Sequence, residues 1–314
     1  MVSEELVRGM LYLSLSVAGV SGNLVVIFGF LVALYQDKRL LAADAIVLHL
    51  AFVNLMVVAV RCLPETLASF RLTAVFDDAG CKGIIFIYRT SRSLSIWLTF
   101  VLSAYQSLSV ALPGSRWAAV RTGLAQHLGL VFLVLWLLNT CMSSASILFS
   151  LGAWNTSATI SHGVNVQFCF VNFPSKLSKE ANGAAQVGRD VVPMALMALA
   201  SLIILFFLYK HSRQVKVRRG GGGSERKAAK AVVALVTLYV VLYGVDNGLW
   251  VYTITLSKTM SNSLVSDLRI FFSSLYAALS PLVVIVSNRK LNGKLRCGVA
   301  VKISKTQLSS TCEG

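Results

Sequence analysis

Charged residues are scarce: they make up 13% of the 314 residues, against about 25% in an ordinary soluble domain. Hydrophobic residues make up 56%, and the mean hydropathy is +0.71. So little charge points to membrane spans, not to an unusually large soluble core. Histidine is scarcer still. His49, His127, His162 and His211 fall in different segments with no metal-ligand spacing, so no metal and no cofactor are expected. The chain also lacks a G-x-S-x-G elbow, a Walker A loop and a dinucleotide fingerprint, which leaves an enzyme poorly supported. Acidic residues number 13 against 29 basic ones, a net charge of +16. That excess could suggest nucleic acid, but it clusters in short loops between apolar runs, so no nucleic-acid partner is expected.

What the chain does have is seven long, nearly uncharged runs, at residues 10–35, 44–65, 83–111, 126–150, 188–209, 229–253 and 267–287. Each is near the ~20 residues that cross a bilayer as a helix. The expected fold is an all-α membrane protein, a single domain of seven transmembrane helices over residues 1–314, with no soluble module. The first run is too long and poorly flanked for a cleavable signal, with Glu4 and Glu5 ahead of Arg8. The seventh run holds no lysine, which removes a retinal Schiff base.

Loop charge sets the orientation. On the C-terminal side lie Lys38, Arg39, Arg116 and Arg121, the basic Gly-rich loop 210–230, and a tail over 288–314 that also contains Arg289, Lys290, Lys294 and Arg296. The opposite loops hold fewer cations and also Asp77, Asp78 and Glu180. A plasma-membrane protein with an extracellular N-terminus follows. The sequon at Asn155 falls on the outer side. Cys81, which opens the third run, and Cys169, in the second outer loop, also lie there; a disulfide persists on that side, and two free thiols are the alternative. The outer loop 151–187 is the longest and best suited to cover a pocket. Cys297, in a basic juxtamembrane stretch with the pattern of a short amphipathic helix on the lipid surface, is a weak palmitoylation candidate.

Several motifs narrow this further: "LHLAFVNL" in the second run, "GCKGIIFIYRTSRSLSIWLTFVLSAYQSLSV" in the third, "RDVVPMALMALAS" in the fifth and "SERKAAKAVVALVTLYV" leading the sixth. Together with the outer cysteines and the basic third inner loop, they resemble a G-protein-coupled receptor, and specifically the vomeronasal type-1 receptors and their fish olfactory relatives. The resemblance implies a rhodopsin-like bundle, a Cys81–Cys169 disulfide, a small odorant or pheromone bound among the helices, and a heterotrimeric G protein on the inner face. Departures from the broader rhodopsin-like pattern agree with it. Tyr105-Gln106-Ser107 stands where Asp-Arg-Tyr is usual, Asn54 where a sodium-binding aspartate is usual, and "SPLVV" where Asn-Pro-x-x-Tyr is usual. The "SNRKLNGKLR" end also resembles bitter-taste receptors, an alternative within the class. Outside it, a transporter or channel is the rival, because ionisable residues in spans mark ion paths; no internal repeat supports it.

Those ionisable residues are the candidate site. Tyr88, Arg89 and Arg92 share one face of the third helix, and Glu65, Asp190, Asp246 and Asn247 lie at similar depth, as do Arg61 and Arg269. Ionised groups in hydrocarbon cost several kcal/mol, so they turn inward. Two outcomes are open. They pair with one another, as Arg92 with Asp246 or Arg61 with Glu65; or an arginine stays unpartnered and anchors an anionic ligand bidentately.

Overall fold

A computed structural model describes residues 2–70, 77–110, 116–152, 163–165, 169–215, 223–255 and 263–287. Asn155, Cys297 and the tail helix expected within 288–314 lie outside the described residues. Among the described residues the helices are α1 Val2–Asp37, α2 Ala42–Ser69, α3 Asp78–Val110, α4 Arg116–Gln126, α5 Leu128–Ser143, α6 Ala145–Phe149, α7 Lys176–Val215, α8 Gly223–Thr255 and α9 Ser263–Ser287. Three short strands, β1 Ser150–Gly152, β2 Gly163–Asn165 and β3 Cys169–Asn172, form an antiparallel sheet in the order β1-β3-β2.

Among the described residues five stretches are long and apolar enough to cross a membrane: Leu6–Asp37, Ala42–Ser69, Leu128–Phe149, Lys176–Phe207 and Asp267–Val286. In hydrocarbon the backbone must satisfy its own polar groups, and a helix does so locally. α3 carries Arg89 and Arg92 in its N-terminal half, and the described apolar part of α8 is the shorter Val233–Leu249.

Two elements depart from the boundaries expected of the sequence. The run 126–150 breaks at Ser144, whose hydroxyl donates to the Cys141 carbonyl at 2.6 Å. Hydroxyls that bond nearby carbonyls compete with helical bonding, and Ser143, Ser144 and Ser146 cluster there. Conversely, α7 begins at Lys176, well before residue 188. Ser175 caps it, accepting from the Ser178 amide at 3.1 Å, and Lys176 pairs with Glu180 one turn on at 3.7 Å. Polar residues therefore continue this helix beyond its apolar part.

α3 is the central helix, against α2, α5, α7 and α8. Its Ser91, Ser93, Ser95, Thr99 and Ser103 are all buried, and small side chains let neighbouring backbones approach. α1 packs as closely: a Cβ at Gly19 would lie 2.8 Å from Val58 Cγ2, and one at Gly22 would lie 2.9 Å from Pro281 Cγ. Pro281 has no N–H, so the Ala277 carbonyl loses its helical donor. The buried Asn23 Nδ2 supplies one at 3.0 Å, tying α1 to the proline bend of α9. Asn54 joins three helices, donating to Ser280 Oγ at 2.9 Å and accepting from Ser95 Oγ at 2.7 Å. A neutral amide satisfied by two hydroxyls occupies the place where the broader pattern has an aspartate.

Candidate ligand site among the charges of the helix bundle

At the N-terminal end of α3, Cys81 and Ile85 pack with Val171 and Phe173, so the sheet sits on that helix. Phe149 meets Phe173 with ring centroids 5.3 Å apart. Cys81 is disulfide-bonded, and its strand neighbour Val171 is two residues from Cys169. Among the described residues the free cysteines are Cys62, buried, and Cys141.

Below this cover the intramembrane charges fall into two groups. The first joins α3, α7, α8 and α9 through Arg92. Its guanidinium donates to Asp190 Oδ2 at 2.5 Å and to Asp246 Oδ2 at 2.6 Å, and lies 5.0 Å from the centroid of the Tyr243 ring. Each aspartate has a second arginine. Arg189 Nε is 3.6 Å from Asp190 Oδ1, and Arg269 Nε is 3.4 Å from Asp246 Oδ1. Arg189 also donates to Ser143 Oγ at 3.3 Å, reaching α5. Arg92, Arg189, Asp190 and Asp246 are all buried, so these are desolvated charge-assisted bonds.

Arg89 lies one turn outward on the same face of α3 and is half-buried. Among the described residues it makes no hydrogen bond or ion pair. The permanent charges that act on it are those of Arg189, Arg269 and Arg92, all positive. Among the described residues this group therefore sets four guanidinium groups against two carboxylates, an excess of two positive charges.

The second group lies between α1, α2 and α9. Arg61 Nη2 is 3.3 Å from Glu65 Oε1, and Arg8 Nη1 is 3.4 Å from Asp267 Oδ2. Tyr12 donates to the Asp267 carbonyl at 3.3 Å. The Arg61 guanidinium lies over the Tyr88 ring at 5.4 Å, and the Tyr88 and Ser273 hydroxyls are bonded at 2.8 Å. Among the described residues two cations meet two anions, so the group as described is neutral.

The sequence-predicted residues are thus divided. Arg92, Asp190 and Asp246 come together; Tyr88 and Glu65 belong to the second group; Arg89 stands by itself. Asn247, buried, donates to the Tyr243 carbonyl of its own helix at 2.9 Å and faces Met194 Sδ at 3.8 Å. Sequence reasoning missed Arg189, whose signal was its place beside Asp190 inside an apolar helix. It also missed Tyr239, Tyr243 and Tyr276, fully buried rings that pack on one another beneath the charges.

Comparison with known proteins agrees over nearly the whole chain. Residues 6–296 match the vomeronasal organ pheromone receptor family. The chain is 36% identical over 297 residues to olfactory receptor class A-like protein 1 of Danio rerio, covering 94% of this chain and 93% of that protein. It is 27% identical over 245 residues to vomeronasal type-1 receptor 3 of Homo sapiens, covering 77% and 78% of the two. With human vomeronasal type-1 receptor 4 it shares 26% over 290 residues, 90% and 95% of the two. Five membrane-length apolar helices, charges turned into the bundle and this extent of similarity lead to one conclusion: the chain belongs to the vomeronasal organ pheromone receptor family of G-protein-coupled receptors and is a multi-pass membrane protein.

Proposed function

We propose that this chain is a seven-span chemosensory receptor of the plasma membrane that binds a small acid within its helix bundle and signals to a heterotrimeric G protein. α3 and α8 complete the count of spans, their charges turned inward from lipid. The N-terminus lies outside, as the basic inner loops favour; Cys81 pairs with Cys169, and Asn155 is glycosylated in the same outer loop. The cations of 210–230 border the G-protein face.

The observation that carries the ligand reading is Arg89: a half-buried guanidinium without a protein acceptor among the described residues, beside three more arginines. A carboxylate or other anionic group supplies both the missing acceptor and the missing charge, in bidentate geometry. Tyr88, Arg92 and Asn247 line the same region, while Asp190, Asp246 and Glu65 hold the neighbouring arginines in place.

The test is a panel of small acids, amines and steroids on cells expressing the chain with a co-expressed Gα. Acids are expected to lead the responses, and Arg89→Ala to weaken them by about tenfold or more, ~1.4 kcal/mol. An unchanged acid response in Arg89→Ala at normal surface expression overturns the anchor. Substrate-dependent flux through vesicles lacking G protein overturns the receptor reading itself.

A further inference from the structure

The arginine nearest to Arg89 on its face of α3 is already fully engaged. Both terminal nitrogens of Arg92 are held by carboxylates, one from α7 and one from α8, so one side chain on the central helix fastens two others to it. Directly inward along α8 the same face carries Tyr243 and Tyr239, three and seven residues before Asp246. Their rings stack at 4.2 Å, and Tyr276 of α9 stands edge-on to Tyr239 at 4.8 Å. Tyr276 is bonded to Thr99 at 3.1 Å. The Tyr239 and Tyr243 hydroxyls are buried and have no partner among the described residues. Leaving two buried hydroxyls unpaired costs free energy. α8 contains no proline, so it carries no proline kink.

We infer that Arg92 is a positioning residue and not a ligand contact at rest: with Asp190 and Asp246 it forms a clasp that holds α7 and α8 against α3, and ligand binding is read out by its opening. The trigger rests on the acid-receptor reading above. The clasped arrangement uses both terminal nitrogens of Arg92 on protein carboxylates and leaves the tyrosine hydroxyls unsatisfied. An arrangement with α8 turned away frees arginine donors and gives the hydroxyls a new environment. An acid therefore binds the open arrangement more tightly, and only that difference drives the shift. Reciprocity follows: weakening the clasp without removing arginines raises both ligand-independent signalling and acid affinity.

The experiment uses the purified full chain in lipid nanodiscs, with spin labels at Ser107→Cys on α3 and Val233→Cys on α8 and the reactive native cysteines replaced by serine. The ligand-free distance distribution is measured for wild type, Asp246→Asn, Asp190→Asn/Asp246→Asn and Arg92→Lys, with and without benzoate as a small acid probe. The double variant is expected to show the largest added population at longer distance, and Asp246→Asn and Arg92→Lys smaller ones. Asp267→Asn, in the partly exposed pair of the other group, is the control and is expected to leave the distribution as in wild type. In cells, Asp246→Asn is expected to raise basal signalling about threefold or more and to shift acid responses to lower concentration. Distances identical in all the variants, or moved equally by Asp267→Asn, overturn the clasp, whatever their melting temperatures. Moved distances in a chain that never signals to acids uphold the clasp and refute the ligand reading. Acid responses with unmoved distances and unchanged basal signalling do the reverse.

Discussion

The two charged groups in this bundle lie within a few turns of each other and differ in their sums. Among the described residues, two arginines face two carboxylates between α1, α2 and α9; between α3, α7, α8 and α9, three arginines share two aspartates and Arg89 stands beside them without an acceptor. A balanced buried group is explained by packing: its charges neutralise each other, and replacing them together by apolar groups costs little. An unbalanced one is a poor solution for stability alone, because each extra buried cation carries an unreturned desolvation cost. Its persistence directs attention to a molecule that brings negative charge.

The sharpest way to break this contrast is Arg92→Ala. It removes the two shortest charge-assisted bonds and leaves Asp190 and Asp246 with only the longer contacts to Arg189 and Arg269. Removing one partner of a buried pair costs about 3–5 kcal/mol, so thermal unfolding of the purified protein is expected to fall by an amount in that range. The neutral group predicts a different pattern. Glu65 is fully buried, so Arg61→Met strands its carboxylate at a cost of about 3 kcal/mol, and adding Glu65→Leu is expected to restore nearly all of it. A double variant as unstable as Arg61→Met contradicts a purely structural role for that pair. Arg89→Ala completes the contrast: it lowers like-charge repulsion, so the acid response is expected to fall while thermal stability stays level or rises.

Much of this was legible in the sequence, for identifiable reasons. Arg89 and Arg92 are three residues apart on an apolar helix, which places them on one face, and hydrocarbon leaves that face nowhere to point but inward. The partners Arg92–Asp246 and Arg61–Glu65 were among the open possibilities because cations and anions lay at matching depths. Which arginine would be left over was not legible. Four guanidinium groups compete for two aspartates, and the winner depends on the rotation of each helix about its axis, which a linear pattern does not encode. Arg189 was hidden for a related reason: beside Asp190, at the start of an apolar run, it reads as a flanking charge until α7 is seen to begin at Lys176. The break at Ser144 escaped because mean apolarity does not register where hydroxyls turn onto the backbone.

The smallest expected effect belongs to the pair that closes the neutral group on its outer side. Arg8 and Asp267 join α1 to α9 at 3.4 Å, with side chains 28% and 23% exposed. Partly solvated pairs of this length contribute about 0–1 kcal/mol, since water competes for both ends and two long side chains lose freedom. Asp267→Asn is therefore expected to change thermal stability by less than about 1 kcal/mol, and by less still at high salt. The Tyr12 bond survives the substitution, because its acceptor is the Asp267 backbone carbonyl and not the carboxylate. If Asp267→Asn instead costs as much as Arg61→Met, the neutral group is one cooperative network reaching the outer surface. The contrast would then lie between two functional clusters, not between a strut and a site.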